Sequence, residues 1–359
     1  MRCFPNDSGF APPRAITALL DRSHERLEAA DFRAALLCAE EASRADPRSV
    51  EAHLDRATAL GRIGRIDEAR DAFDRALALD PEDPETLAGA ADLFISHLPP
   101  SNERSEIGLE LARRGSHGIK RARLYNRSLR ARLALLEGQA LNDLGRSREA
   151  LLRLDAAEKG ALPADLSRAR YERALALFEL SRFPEAKRGF IEFLSQAPDD
   201  AWGHYHLGLT LERLDDRTAA HQEFEAAMRL APENFKPPME IPLEEFRQLM
   251  WAEVARLPLA LAQDLAAVQL EIADLPEIAD LTADDPPLSP TIVGLFRGAP
   301  LGIPLEPGEY RTIVLYRKNL AREVTSHTDL AQQIRTTLLH ELGHLRGEDD
   351  DALRSRGLE

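Results

Sequence analysis

The chain has 359 residues, of which 44% are hydrophobic, 30% charged and 6% aromatic, with a formal net charge of −15. That length calls for two to three folding units; the mix excludes a disordered or fibrous polymer and suits Ala/Leu/Arg/Glu-rich helices; the acidic balance argues against a nucleic-acid footprint. The two cysteines, Cys3 and Cys38, make neither a disulfide framework nor a zinc knuckle, and no run has the length of a signal peptide or membrane span, so a cytoplasmic protein without nucleic-acid or membrane partners is expected.

Residues 1–15 read as an N-terminal extension. From Ile16 to Asn234 the sequence repeats with a period of 34 residues, visible in the spacing of Pro47 and Pro81 and again of Pro198 and Pro232. Each of these prolines closes a pair of helices. Residues 50–83 carry Ala57, Ala69, Phe73 and Ala76 ahead of Pro81, and residues 201–234 carry Gly208, Ala220, Phe224 and Ala227 at the same offsets ahead of Pro232. The pattern resembles the tetratricopeptide repeat, in which small residues let two antiparallel helices approach and large ones fill the gaps between successive pairs. Residues 16–49 fit it with Phe32, Ala35 and Ala42, residues 131–164 with Gly138, Gly145, Ala150 and Ala157, and residues 167–200 with Phe183, Ala186 and Phe190. Residues 84–130 depart from it, with an insertion around 99–106. An all-α solenoid of five clear repeats and one divergent repeat is therefore expected over 16–234. The resemblance implies that this solenoid binds a protein or peptide partner or substrate. His204 and His206, two positions apart, point to different sides of a helix and read as repeat-surface residues rather than a metal pair.

The period stops at Asn234, where Pro237, Pro238 and Pro242 crowd a segment that cannot continue a helix stack. A second domain is placed at 235–359. A helix over 243–257 is followed by β-like runs at 268–272, 291–297 and 311–317, with an Asp/Pro-rich loop at 274–290. A final amphipathic helix starts at the capping residues 326–329 and runs into His340. The domain is thus small and α+β. The run 311–317 reads equally as a sheet edge that aligns an extended peptide or as a core strand, and the sequence does not distinguish Tyr310 from Tyr316 as an oxyanion donor.

The chemistry lies in HELGHLRGEDD, residues 340–350. On a helix of about 3.6 residues per turn, His340 and His344 share one face and can converge on one metal ion. Glu341 stands beside that ion without ligating it, placed to take a proton from a metal-activated water and pass it to a leaving amine. A third ligand on a distant Glu has no room, because 15 residues follow His344. The extended form of the motif places a glycine at Gly347 and the last ligand at Asp350. One Zn2+ per chain on His340, His344 and Asp350 is expected, and a shift of one residue would give the third place to Asp349 or Asp351. His327, thirteen positions before His340, belongs either to the start of the helix or to the open coordination position.

The last 120 or so residues resemble the small bacterial and archaeal zincin-like metallopeptidases described as a minimal matrix-metalloprotease-like domain. The elements that carry the resemblance are VQLEIADLP with the later DDPP, TIVGLFRGAPL, TIVLYRKNL and IRTTLLHELGHLRGEDDDALRSRGL, in that order. It implies a small sheet packed on the active-site helix, and a zinc site at His340, His344 and Asp350 with Glu341 beside it. None of the four Met residues follows His340, so the methionine turn of the larger metzincins is absent. The expected function is that of a zinc metallopeptidase acting on internal peptide bonds, with the repeats recruiting its substrate. Two alternatives stand beside it: an interaction scaffold whose zincin-like domain is structural or weakly active, and hydrolysis of a non-peptide bond by the same ligands. Neither the substrate nor the oligomeric state is legible.

Overall fold

The computed structural model describes residues 13–99, 101–121, 126–305, 307–322 and 324–358; Cys3 and residues 1–12 of the expected extension lie outside them. Backbone contacts divide the chain into two compact units, Met1–Leu177 with Pro184–Pro198, and Phe178–Phe183 with Asp199–Glu359.

The first unit is built from antiparallel helix pairs: Pro13–Glu28 with Phe32–Ala45, Val50–Ile63 with Ile66–Leu79, Pro84–Asp92 with Asn102–Arg121, and Arg127–Asp143 with Ser147–Glu158. Polar residues open several of these helices by accepting an otherwise unpaired amide: Asp31 from Ala34, Ser49 from Ala52, Asp83 from Thr86 and Asn126 from Leu129. The small residues of the repeat pattern are where the helices meet, since Ala57, Ala69 and Ala76 are fully buried around Phe73. The divergent third pair continues from Pro84–Asp92 into a π-turn, Leu93–His97, and its second helix is lengthened to 20 residues, which absorbs the insertion expected around 99–106. Glu172, on the helix Pro163–Glu179, is buried and receives Nδ2 of Asn142 at 3.0 Å; burial pushes its carboxyl up to about 7 against that hydrogen bond and the nearby Arg168.

The second unit contains the last helix pair, Ala201–Arg213 and Arg217–Leu230, and a small α+β region. His204 faces Glu223 (2.6 Å) while His206 donates to the Trp202 carbonyl (2.9 Å), so the two rings serve different partners. Glu212 receives Nζ of Lys318 at 3.0 Å and the guanidinium of Arg322, which also lies 5.6 Å from the Phe224 ring centre.

Three strands follow: β1 (Gln269–Ala273), β2 (Gly294–Arg297) and β3 (Thr312–Tyr316), in the order β1-β3-β2. β3 runs parallel to β1 and antiparallel to β2, and all five of its residues are buried. The reading of 311–317 as a substrate-aligning edge is therefore corrected: β3 has a neighbour on each side, and among the described residues the sheet edges belong to β1 and β2. Against the sheet lies the helix His327–Leu345, capped by Ser326, whose Oγ accepts the Asp329 amide at 3.1 Å. Its stripe Leu330, Ile334, Leu338, Leu342 and Leu345 is buried with Ile313 and Leu315 of β3 and with Phe246 and Met250 of the helix Leu243–Val254. Truncating any one of the five to Ala would cost about 2–5 kcal/mol, so the helix that carries the motif is fixed along its whole length. His327 stands at its first position and pairs with Glu245 at 2.9 Å, which settles it as a helix-start residue.

Candidate metal centre

The centre is assembled at the C-terminal end of the His327–Leu345 helix. Gly347 adopts φ +84°, a backbone region costly for side chains other than glycine. Two hydrogen bonds close the helix there, from the Gly347 amide to the His344 carbonyl (2.9 Å) and from the Glu348 amide to the Gly343 carbonyl (3.0 Å). The chain then turns back, and a short helix, Asp350–Ser355, lies against the one just ended. Its buried Leu353 rests on Gly343, where an added Cβ would stand 2.2 Å from Leu353 Cδ2. The second glycine of HELGHLRG thus provides the turn, and the first provides the clearance.

The three candidate aspartates have three separate surroundings. Asp349 caps the short helix by accepting the Ala352 amide at 2.9 Å, and Asp351 pairs with Arg354 at 2.8 Å. Asp350 instead directs Oδ1 toward the histidines, 3.2 Å from Nε2 of His344 and 3.6 Å from Nε2 of His340. The two Nε2 atoms are 3.0 Å apart.

Each imidazole is held through its other nitrogen. Nδ1 of His340 meets the Leu358 carbonyl at 2.7 Å and Nδ1 of His344 meets the Glu348 carbonyl at 3.0 Å. A carbonyl only accepts, so each Nδ1 carries the proton and each Nε2 turns a lone pair toward the same space. Two such lone pairs and a carboxylate oxygen repel one another unless a metal ion or a shared proton lies among them. Bonds of about 2.0–2.1 Å in tetrahedral geometry would separate neighbouring ligand atoms by about 3.3 Å, and the observed 3.0, 3.2 and 3.6 Å bracket that value. The donor set therefore fits zinc. Among the described residues it is the one group of three or more His, Cys, Asp or Glu side chains with ligand atoms gathered this closely, all within 4.8 Å. The side chain of Asp350 is 72% exposed and those of the histidines 25% and 28%, so the cluster is reached from solvent on the aspartate side.

Glu341 sits on the inner side of the cluster, 5% exposed, with its carboxylate against β2. It reaches that position because residue 294 is glycine: a Cβ there would lie 2.4 Å from Thr337 Cγ2 and 2.9 Å from Glu341 Oε1. Burial pushes its carboxyl up to about 8, with the charge of Asp350 adding and a hydrogen bond from the Phe296 amide opposing. Tyr316 is buried, with its hydroxyl 3.4 Å from Asp280, and Tyr310 is 65% exposed in the β2–β3 connection. Gly294, Phe296 and Leu358 were not singled out by sequence reasoning. A glycine inside a strand run signals close approach of another group and could have pointed to Gly294; main-chain groups at Phe296 and Leu358 leave no mark in a sequence.

A family profile for zincin-like metallopeptidases matches residues 265–358, and one for the tetratricopeptide repeat matches residues 20–84 and 171–235. The chain carries a tetratricopeptide-repeat region and a zincin-like metallopeptidase domain. The zincin-like match includes all three strands, the motif helix and the turn beyond it. The helical part is similar to solved repeat structures. One is PilW, a widely conserved type IV pilus biogenesis factor, at 18% identity and TM-score 0.51, over 62% of this chain and 96% of that one. Another is the APC/C hetero-tetramer Cut9–Hcn1, at 13% identity and TM-score 0.52, over 60% of this chain and 40% of that one. At these identities the likeness is one of fold. No curated protein matches the sequence. Tetratricopeptide repeats generally mediate protein or peptide binding, and no helix among the described residues is long and apolar enough to cross a membrane.

Proposed function

We propose that the protein is a zinc-dependent endopeptidase, with His340, His344 and Asp350 as ligands, Glu341 as general base, and the repeats, taken as 16–234, recruiting a protein substrate for the domain at 235–359. The convergence of two Nε2 lone pairs and one carboxylate oxygen beside a buried glutamate carries this reading. When bound, zinc supplies a Lewis acid that makes water nucleophilic near neutral pH and polarises a carbonyl. Glu341 takes a proton from the attacking water and delivers it to the amide nitrogen as the carbon–nitrogen bond breaks and a carbon–oxygen bond replaces it. A cation held by His340, His344 and Asp350 would draw the Glu341 carboxyl back down from the high value that burial imposes.

β2 supports the substrate half of the proposal. Val293 accepts the Tyr316 amide at 3.0 Å, and in an antiparallel ladder the residues that bond to the neighbour alternate with residues that face away. Gly294 therefore turns its main-chain groups outward, next to Glu341, where an extended peptide could add as a strand; the outward amide of Phe296 is already given to the Glu341 carboxylate. A cytoplasmic setting is proposed with this, on the low cysteine content.

The test pairs zinc stoichiometry with hydrolysis of an unstructured protein such as casein by the full chain. About one zinc per chain, lost in His340→Ala, with hydrolysis abolished in Glu341→Gln while zinc is retained, is the expected result. Zinc binding without any cleavage sensitive to Glu341→Gln would leave an interaction scaffold with a structural metal.

A further inference from the structure

The residues that follow the motif do more in this structure than contribute Asp350. Between Gly347 and Leu358 the chain makes a closed circuit over the end of the motif helix. It leaves through the Gly347 turn, is capped by Asp349, is pinned by Leu353 against Gly343, and returns so that the Leu358 amide bonds the Leu353 carbonyl at 3.2 Å. The circuit ends with the Leu358 carbonyl 2.7 Å from Nδ1 of His340, 18 residues away in sequence.

We propose that the Leu358 main-chain carbonyl is a positioning group for His340, fixing its ring and its Nδ1–H tautomer so that Nε2 stays aimed at His344 and Asp350. This deepens the zinc reading and rests on it. The two histidines are not held in the same way. His344 is fixed by the carbonyl of Glu348, four residues on and part of the turn that stops its own helix. His340, one turn earlier, is not held by the turn; its partner is the carbonyl of Leu358, and the short helix Asp350–Ser355 is the arm that leads the chain back to it. The same arm carries Asp350 at its first position, so one rigid segment sets both a ligand and the orientation of another ligand. An outer hydrogen-bond partner of this type raises ligand basicity and removes rotational freedom from the ring, and its loss typically weakens metal binding by about 10–100-fold.

The experiment compares three proteins: the unaltered chain, Leu358→Ala, which keeps the carbonyl, and a chain stopped after Gly357, which removes it. Zinc affinity is measured by competition with a chromogenic chelator, and the histidine tautomers of the zinc-free proteins are read from imidazole 15N shifts. The expected result is an Nδ1–H tautomer at His340 in the unaltered chain and in Leu358→Ala, with zinc affinities within about threefold of each other. The chain stopped after Gly357 should lose that tautomer preference at His340, keep it at His344, and bind zinc about 10–100-fold more weakly. Retention of the His340 tautomer together with full affinity in the shortened chain would overturn the inference, as would an equal loss in Leu358→Ala, which would assign the effect to the side chain. If the unaltered chain binds no zinc, the metallopeptidase reading fails and takes this inference with it; if it binds zinc and shortening changes nothing, the inference alone fails.

Discussion

Nε2 of His340 and Nε2 of His344 face each other at 3.0 Å while both Nδ1 atoms are occupied by carbonyl oxygens. Neither ring can rotate its donor inward without losing a hydrogen bond, so the repulsion between the lone pairs is relieved best by a cation. Zinc should therefore stabilise the folded chain. At a free concentration a hundred times the dissociation constant the gain is about 2.7 kcal/mol, seen as a higher melting temperature that EDTA reverses. His344→Ala should melt at one temperature with or without zinc.

The aspartates at 349, 350 and 351 should separate by readout. Asp350→Ala removes the candidate ligand oxygen and should weaken zinc binding by more than the roughly 10–100-fold typical of an outer partner. Asp351→Asn should leave affinity within about threefold. Asp349→Ala loses a helix cap worth about 1 kcal/mol and should lower the melting temperature more than it alters the zinc stoichiometry. Equal effects on affinity at 350 and 351 would refute the assignment.

Gly294→Ala tests the seat of the general base. The new methyl meets Thr337 and Glu341 at distances no side chain tolerates, at a cost of about 1–3 kcal/mol, and Glu341 must move away from β2. Hydrolysis should fall at least tenfold while zinc stoichiometry stays near one. An active Gly294→Ala enzyme would mean that Glu341 need not lie where it does.

Glu172 gives the repeat unit a pH dependence whose sign can be worked out. Its folded-state carboxyl, raised to about 7, holds its proton more tightly than the ordinary value of 4.5. Both states are protonated below pH 4.5, so nothing is lost there. Between about pH 4.5 and 7 the unfolded chain ionises first, and stability falls by on the order of 3 kcal/mol, levelling off above that range. Glu172→Gln should abolish this slope and be the more stable protein at pH 8. Far-UV circular dichroism during urea unfolding is the suitable probe, because both tryptophans, Trp202 and Trp251, lie in the other unit.

What the sequence revealed was whatever depends on local periodicity. The 34-residue repeat, the stripe Ile334, Leu338 and Leu342, the cap at Ser326 and the turn at Gly347 all follow from helix geometry within a few residues, and all appear in the structure. Strand order does not follow from such spacing. β3 was open to reading as an edge because its neighbours, β1 and β2, both precede it in the chain and either could have lain elsewhere. The candidate third ligand was ambiguous by one residue for a related reason: three consecutive aspartates are chemically alike, and only the folded turn places one at a cap, one beside Arg354 and one beside the histidines. The contacts of Leu358 and Phe296 were hidden altogether, since any amino acid would offer the same carbonyl or the same amide.

That the His340 ring is held by a group 18 residues downstream sets a lower limit on what can be excised. A synthetic peptide copying the 19 residues His327–Leu345 would display both imidazoles one turn apart, yet each ring would spin freely and pick its own protonation form. Such a peptide should be a poor chelator despite carrying H-E-L-G-H intact. Transplanting this centre into another scaffold would require the return segment through Leu358 and the β2 strand as well as the helix.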